Sequence, residues 1–189
     1  GELTASHIDS VGLPCPGAQI VVMDAEGREV PRGEIGGIWI HGGSVIKGYW
    51  NNPKATAESF TAGFWHSGDL GSVDADNFVR VFDRQKDMIN RGGLKIYSAE
   101  VESVLAGHPD VIESAIVAKP CPVLGERVHA VVVVRNAAAA DMLRAWCAER
   151  LSDYKVPETM DVRMEPLPRN ANGKVMKRQL REAWAAAQN

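Results

Sequence analysis

The 189-residue sequence is short of cysteine, of long apolar runs and of basic excess, and each shortage excludes something. Cys15, Cys121 and Cys147 are odd in number and widely spaced, which fits neither a disulfide framework nor a common zinc spacing. A reducing cytoplasm is the compartment this implies, with each thiol a small buried or half-buried side chain. The longest apolar stretch, Val128 to Val134, is broken by His129 and is far too short to span a bilayer, so no transmembrane segment is expected. No secretory or lipidation pattern is visible. A net charge of -3 argues against a general nucleic-acid binder. The histidines, at 7, 41, 66, 108 and 129, have no metal-ligand spacing, and no metal site is expected among them. What remains is an ordinary soluble composition, long enough for one domain with a sizeable core or for two small ones.

Along the chain, Gly1 to Ser10 reads as a polar tail. Strands are expected at Gln19 to Met23 and from Gly36 through GGIWIHG, with turns at Asp24 to Gly27 and Pro31 to Gly33. Asn52-Pro53 reads as a helix start, with a short helix at Thr56 to Phe60. GFWHSGDLG, Gly63 to Gly71, is followed by a hairpin turn at Asp74 to Asn77 and a returning strand from Phe78. The character changes at DRQKDMINRGG, Asp83 to Gly93, where charges cluster and two glycines follow. Beyond it helix and strand alternate. Ser98 is placed to cap a helix that buries Val101, Val104 and Leu105 and stops at Gly107 and Pro109. Strands follow at Val111 to Ala118 and Val128 to Val134, then a helix from Ala138 to Leu151 and a strand at Asp161 to Met164. The fold class is therefore α+β: a small β-barrel-like unit over residues 1–85, then an α+β unit over 86–189 with a short mixed sheet flanked by helices.

Chemistry has several candidate places. His66, Ser67 and Asp69 lie close together, but a Ser-His-Asp triad is assembled by the fold from separate segments, so this spacing carries no signal for one. Ser67-Gly68-Asp69 reads instead as a tight turn at a strand end presenting one carboxylate. That carboxylate can accept from two adjacent ribose hydroxyls or cap its own backbone, and the residues leave both readings open. Arg84, Lys86 and Asp87 form a charge run where the two halves meet. Gly92 and Gly93 allow a close backbone approach to a ligand, or make a turn. In PRNANGKVMKR, Pro168 to Arg178, the turn formers Asn170, Asn172 and Gly173 put Lys174 on a mobile loop before a helix whose stripe is Met176, Leu180 and Trp184. A flexible ammonium suits a charge that must arrive, touch phosphate or carboxylate oxygens, and leave. By itself it reads better as a solvated loop lysine beside Lys177 and Arg178.

In this order, GYWNNPKATAESF, FWHSGDLG, DRQKDMINRGGLKIYSAEVE, GER, YKVPE and PRNANGKVMKRQLR resemble the signatures of the C-terminal part of an adenylate-forming enzyme, over nearly the whole chain. The family includes acyl- and aryl-CoA synthetases, adenylation domains of peptide synthetases and beetle luciferases, and DRQKDMI with the RGG loop is more similar to the CoA synthetases. The resemblance implies two half-reactions: a carboxylic acid and ATP, with Mg²⁺ in the full enzyme, give acyl-AMP, and CoA then displaces AMP. By position it implies that Asp69 holds the ribose hydroxyls, that Arg84 contacts ribose or phosphate, and that Lys95 reaches phosphate. It makes Lys86 the hinge of a mobile lid, puts Gly92 and Gly93 along the pantetheine path, and has Lys174 bridge the attacking carboxylate and the α-phosphate. It also implies an acetyltransferase and deacetylase acting on Lys174. Two positions depart from the pattern: Ser67 replaces a threonine, and Leu124 stands where relatives that stack the CoA adenine carry an aromatic residue. The family's phosphate loop lies upstream, so the chain is expected to be about the last third of an enzyme and inactive alone. The competing expectations are an enzyme that loads a carrier protein and a non-catalytic lid-fold interaction module.

Overall fold

The computed structural model describes residues 6–136 and 140–186, the last three of these by backbone alone. The first five residues of the expected tail, the expected helix start at Ala138 and the Trp184 side chain lie outside the described residues. The chain divides into two units, Gly1–Lys86 and Asp87–Asn189.

The first unit contains β1 (Ala18–Met23), β2 (Gly36–Gly42), α1 (Pro53–Ser59), β3 (Phe60–Thr61), β4 (Phe64–Val73) and β5 (Val79–Arg84). Every strand pairing is antiparallel, in the order β1-β2-β4, with β3 and β5 sharing the other edge of β4. Among the described residues no ladder joins β1 to β5, so the barrel-like expectation holds as a curled half-barrel that does not close. Alternation in the strands puts Val22, Ile38, Val73 and Val79 into one small core, with Ile20, Val30 and Ile40 against it. Where β4 and β5 pair beside this core the backbones approach closely. A Cβ on Gly71 would stand 2.2 Å from the Arg80 carbonyl oxygen and 2.5 Å from Ile38 Cδ1. The Asn52 side chain caps α1 by accepting from Ala55 N at 3.0 Å, and Pro53 occupies the first turn, where its missing N–H costs nothing. The β4–β5 turn is held by Asp74 Oδ1, which accepts from Asp76 N and Phe78 N at 3.0 and 2.9 Å.

The second unit contains β6 (Ile89–Arg91), β7 (Leu94–Ile96), α2 (Ser98–Ala106), β8 (Val111–Cys121), β9 (Gly125–Val134), α3 (Ala140–Ala148), a single 3₁₀ turn at Asp153–Lys155, β10 (Thr159–Arg163) and α4 (Lys177–Ala186). β9 is the spine of a mixed sheet: β8 runs antiparallel along one edge, while parallel β10 and the end of β6 share the other. Its even-numbered residues Val128, Ala130, Val132 and Val134 pack with Val101, Leu105, Leu143 and Cys147 in the main core. Its odd-numbered residues Val131 and Val133 join Ala115, Val117, Leu167 and Leu180 on the opposite face. Burial on both faces explains the near-continuous apolar run.

The structure revises several boundaries. Ser98 does not cap α2: Tyr97 holds the cap position without a side-chain bond, and Ser98 is a buried first-turn residue. β8 and β9 each extend three residues further, to Cys121 and from Gly125, because they form one hairpin through Pro122–Leu124. Among the described residues no helix is long and apolar enough to cross a membrane.

Candidate functional site

In the first unit the sequence-predicted residues Asp69 and Arg84 come together. They face each other across the β4–β5 ladder, and Arg84 Nε lies 2.9 Å from Asp69 Oδ1. Ser67-Gly68-Asp69 is not a turn at a strand end. It lies inside β4, as a bulge in which three residues stand opposite Ile38 alone, with Gly68 at φ 75°. The left-handed glycine lets the strand swell there and resume its pairing. The bulge holds itself and β5 through local bonds. Ser67 Oγ accepts from Asp69 N at 3.0 Å, the Ser67 carbonyl accepts from Arg84 Nη1 at 3.1 Å, and the Gly68 carbonyl accepts from Gln85 N at 2.9 Å. Gly68, Arg84, Gln85 and Lys86 line an open concavity of about 350 Å³. Half of the Arg84 side chain remains exposed, so its unused N–H groups can meet an anion while its ion pair holds Asp69. Lys86 is exposed and is the last residue of this unit.

In the second unit Gly92 and Gly93 form the two-residue turn of the β6–β7 hairpin, with φ of 60° and 91°. Two positive φ values in succession are the geometry that strand twist favours in such a turn. The turn is tied down by Gly92 N donating to the Leu124 carbonyl at 2.8 Å and Gly93 N to Asn90 Oδ1 at 3.0 Å. Leu124 also touches this turn, since a Cβ on Gly92 would lie 3.4 Å from Leu124 Cδ2. Lys95 is exposed on β7, opposite Asn90. Two carboxylates that the sequence did not single out clamp the hairpin. Glu126 accepts from Asn90 N at 2.7 Å, and Glu158 pairs with Arg91 at 2.9 Å and Arg127 at 3.4 Å. Leu124 N donates to Cys121 Sγ at 3.4 Å and Arg127 Nε at 3.0 Å; the Leu124 bond first, and the Arg127 bond after it, hold the thiol below its usual pKa.

Lys174 stands on a defined turn, not on a loose loop. Arg169 bridges to Val175, Asn170 N donates to the Lys174 carbonyl at 2.9 Å, and Gly173 N to the Asn170 carbonyl at 2.9 Å. Asn170 Oδ1 accepts from Asn172 N and Lys174 N, and Gly173 takes the left-handed φ of 77° that closes the turn. The Lys174 side chain is exposed and has no ion-pair partner among the described residues. Its neighbour Lys177 is not a solvated cation. Its ammonium donates to Ser98 Oγ and Glu102 Oε1, each at 2.7 Å, so it fastens the start of α4 to α2. Nothing local in the sequence signals that pairing, because the partners lie on a helix three strands earlier. No hydrogen bond or ion pair joins Lys174 to the Gly92–Lys95 hairpin among the described residues.

A buried polar cluster also escaped the sequence. His129 Nδ1 lies 2.9 Å from the Thr159 hydroxyl and 3.1 Å from the Thr159 carbonyl. Lys119 Nζ donates to Thr159 Oγ1 at 2.9 Å. Burial first, then the Lys119 charge, pushes the His129 pKa down to about 4.

Known proteins resemble this chain. Residues 2–50 match the AMP-binding enzyme family, and residues 100–174 match the AMP-binding enzyme C-terminal domain. A feruloyl-CoA synthase from Amycolatopsis sp is 42% identical over 182 residues, covering 95% of this chain and 37% of that protein. A long-chain-fatty-acid–CoA ligase from Yersinia pestis is 38% identical over 174 residues, covering 92% and 31%. Among solved structures, o-succinylbenzoate CoA synthetase from Bacillus subtilis, in complex with the acyl-adenylate intermediate OSB-AMP, superposes with a TM-score of 0.88 at 37% identity, covering 95% of this chain and 37% of that one. The chain thus spans about a third of the length of the curated relatives it matches. From the fold, the two family matches and these relatives together, the chain belongs to the AMP-binding, adenylate-forming enzyme family and corresponds to part of such an enzyme.

Proposed function

We propose that the intact enzyme is an acid–CoA ligase that joins a carboxylic acid to CoA through an acyl-adenylate. The observation that carries the reading is Lys174: an exposed ammonium without an ion-pair partner, at the apex of a hydrogen-bonded turn. In the first half-reaction a carboxylate oxygen attacks the α-phosphorus of ATP. An acyl–O–P bond forms, the bond to the β-phosphate breaks, and pyrophosphate leaves. Two anions must meet, so a cation between them lowers the barrier, and it acts most strongly once a closing lid has displaced water. Lys174 has that role. Asp69 accepts from the ribose hydroxyls and Arg84 donates to ribose or phosphate, while their ion pair fixes both. Lys95 supplies a further cation to phosphate. The metal enters as part of MgATP, and no residue of this chain is assigned to it.

In the second half-reaction the CoA sulfur attacks the acyl carbon, the bond to AMP breaks, and the thiol proton passes to solvent. Gly92 and Gly93 expose backbone to the pantetheine arm, and the second unit is the lid that pivots at Lys86 between the two steps. The 189-residue chain by itself is inactive on this reading. That relatives are a feruloyl-CoA synthase and a long-chain-fatty-acid–CoA ligase favours CoA over a carrier-protein acceptor. Acetylation of the exposed Lys174 would remove the charge adenylation needs, which is how an acetyltransferase and deacetylase would regulate it.

The test is Lys174→Ala in the intact enzyme. Acyl-AMP formation should fall on the order of 10²-fold or more, the scale for losing one charge-stabilising group. Thioester formation from supplied acyl-AMP should be largely spared. Equal loss in both half-reactions contradicts the role.

A further inference from the structure

The peptide group between Gly173 and Lys174 is held at both ends. Its carbonyl accepts from Arg169 Nη1 at 2.7 Å, and its N–H donates to Asn170 Oδ1 at 2.9 Å. A peptide is planar, so fixing both groups fixes the plane, and with it the direction in which Lys174 leaves the backbone. Arg169 is itself held, because its other terminal nitrogen is paired with Glu113 Oε2 on β8. Glu113 Oε1 accepts from Leu167 N at 2.9 Å, and Leu167 is buried in the core between the sheet and α4. One carboxylate therefore ties the entry to the turn, the arginine and, through the arginine, the Gly173–Lys174 peptide to β8. Downstream, Met176 N donates to the Pro168 carbonyl at 2.8 Å, and Lys177 is pinned to Ser98 and Glu102. Glu102 Oε1 also accepts from Ile116 N at 2.8 Å, so this second clasp ends on β8 as well.

We propose that Arg169 and Glu113 are positioning residues for Lys174: they set the peptide plane from which its side chain projects, and so serve acyl-AMP formation and not thioester formation. This rests on the role given to Lys174 above. Turn formers alone would close the loop, as Asn170 and Gly173 do here. The added guanidinium bond to the one carbonyl adjoining Lys174 is what directs the ammonium. Lysine is long, and a rotation of the plane at its root is magnified at its tip, where misplacement by about 1 Å costs on the order of 10²-fold in rate.

The experiment uses the intact enzyme and compares Arg169→Ala, Glu113→Ala, Arg169→Lys and Lys174→Ala. Each half-reaction is followed by single turnover, with amide hydrogen exchange read at Gly173 and Lys174. Arg169→Ala and Glu113→Ala should slow acyl-AMP formation at saturating acid and ATP on the order of 10-fold or more, leaving KM and thioester formation unchanged. A variant combining Arg169→Ala with Glu113→Ala should cost no more than Arg169→Ala alone, because the two act in series. Arg169→Lys should recover part of the rate, since an ammonium can reach either the Gly173 carbonyl or Glu113. Exchange at the Lys174 amide should rise in Arg169→Ala. If Lys174→Ala loses adenylation while Arg169→Ala keeps it, the positioning inference is wrong and the lysine's role stands. If Lys174→Ala keeps adenylation, the lysine's role is wrong. Equal losses in both half-reactions, or unchanged exchange at Lys174, show that Arg169 supports folding alone and overturn the inference.

Discussion

Acid should weaken the second unit through one imidazole. His129 is 5% exposed on β9, with Lys119 from β8 and Thr159, Asp161 and Arg163 from β10 around it. Burial and the nearby Lys119 cation outweigh the Thr159 carbonyl and Asp161, and the ring's pKa falls from 6.5 to about 4. Between those values the unfolded chain binds a proton that the folded chain refuses. The contribution of His129 is therefore complete above pH 6.5, declines as the pH falls, and levels off below about 4. At about 1.4 kcal/mol for each pH unit, the loss across that window is about 3 kcal/mol. That is a large share of a typical domain stability of about 5–15 kcal/mol. The assay is urea unfolding across this pH range, followed through the methyl signals of Val128 to Val134, which report the second unit alone. His129→Gln keeps an amide to donate to the Thr159 carbonyl and removes the titration, so its curve should be flatter than wild type by about that amount. Lys119→Met should shorten that window from its acid end and reduce the loss, because the ring's folded-state pKa moves back up once its cationic neighbour is gone. Wild-type and His129→Gln curves with the same pH slope would refute the reasoning.

Two further outcomes follow from backbone geometry. If the lid pivots at Lys86, its φ and ψ must differ between states. Lys86→Pro, which locks φ near -65°, should leave acyl-AMP formation in the intact enzyme while CoA transfer falls steeply, and Lys86→Ala should do much less; equal effects of the two on single-turnover thioester formation would transfer the role to the side chain. Gly71→Ala should lower the urea midpoint of the first unit by an amount worth about 1–3 kcal/mol or more, since its new methyl meets the Arg80 carbonyl and Ile38; an unchanged midpoint would show that β4 and β5 separate freely.

The strands and turns were legible where side-chain chemistry is local. Asn52, Asp74, Asn170 and Gly173 act within four residues of themselves, so their caps and turns could be read directly. The α+β class followed from the same signals. What could not be read depends on partners far away in sequence. Ser98 is a sound cap by type, yet the helix begins one residue earlier and uses its hydroxyl for Lys177. Lys177 and Arg178 look alike in sequence, and only the fold brings Glu102 to one of them. The pairing of Asp69 with Arg84 became an expectation of nearness only through the family resemblance, because the bulge that presents it leaves no local pattern beyond one glycine. The His129 cluster is invisible for the same reason: a histidine inside an apolar strand does not announce which residues will enclose it.

The bulge in β4 has a bearing on how the sheet tolerates changes of length. On either side of it, Gly37 faces Leu70 and Trp39 faces His66, so four steps along β4 accompany two along β2. The surplus is even. Because strand side chains alternate, an even surplus brings the inward and outward positions back into phase, whereas a single added residue would turn Leu70, Ser72 and the rest of the strand inside out. The segment that carries Asp69 can therefore gain or lose residues in pairs while the small core behind it keeps its register. What that segment presents can then change its reach while β2 and β4 stay in phase.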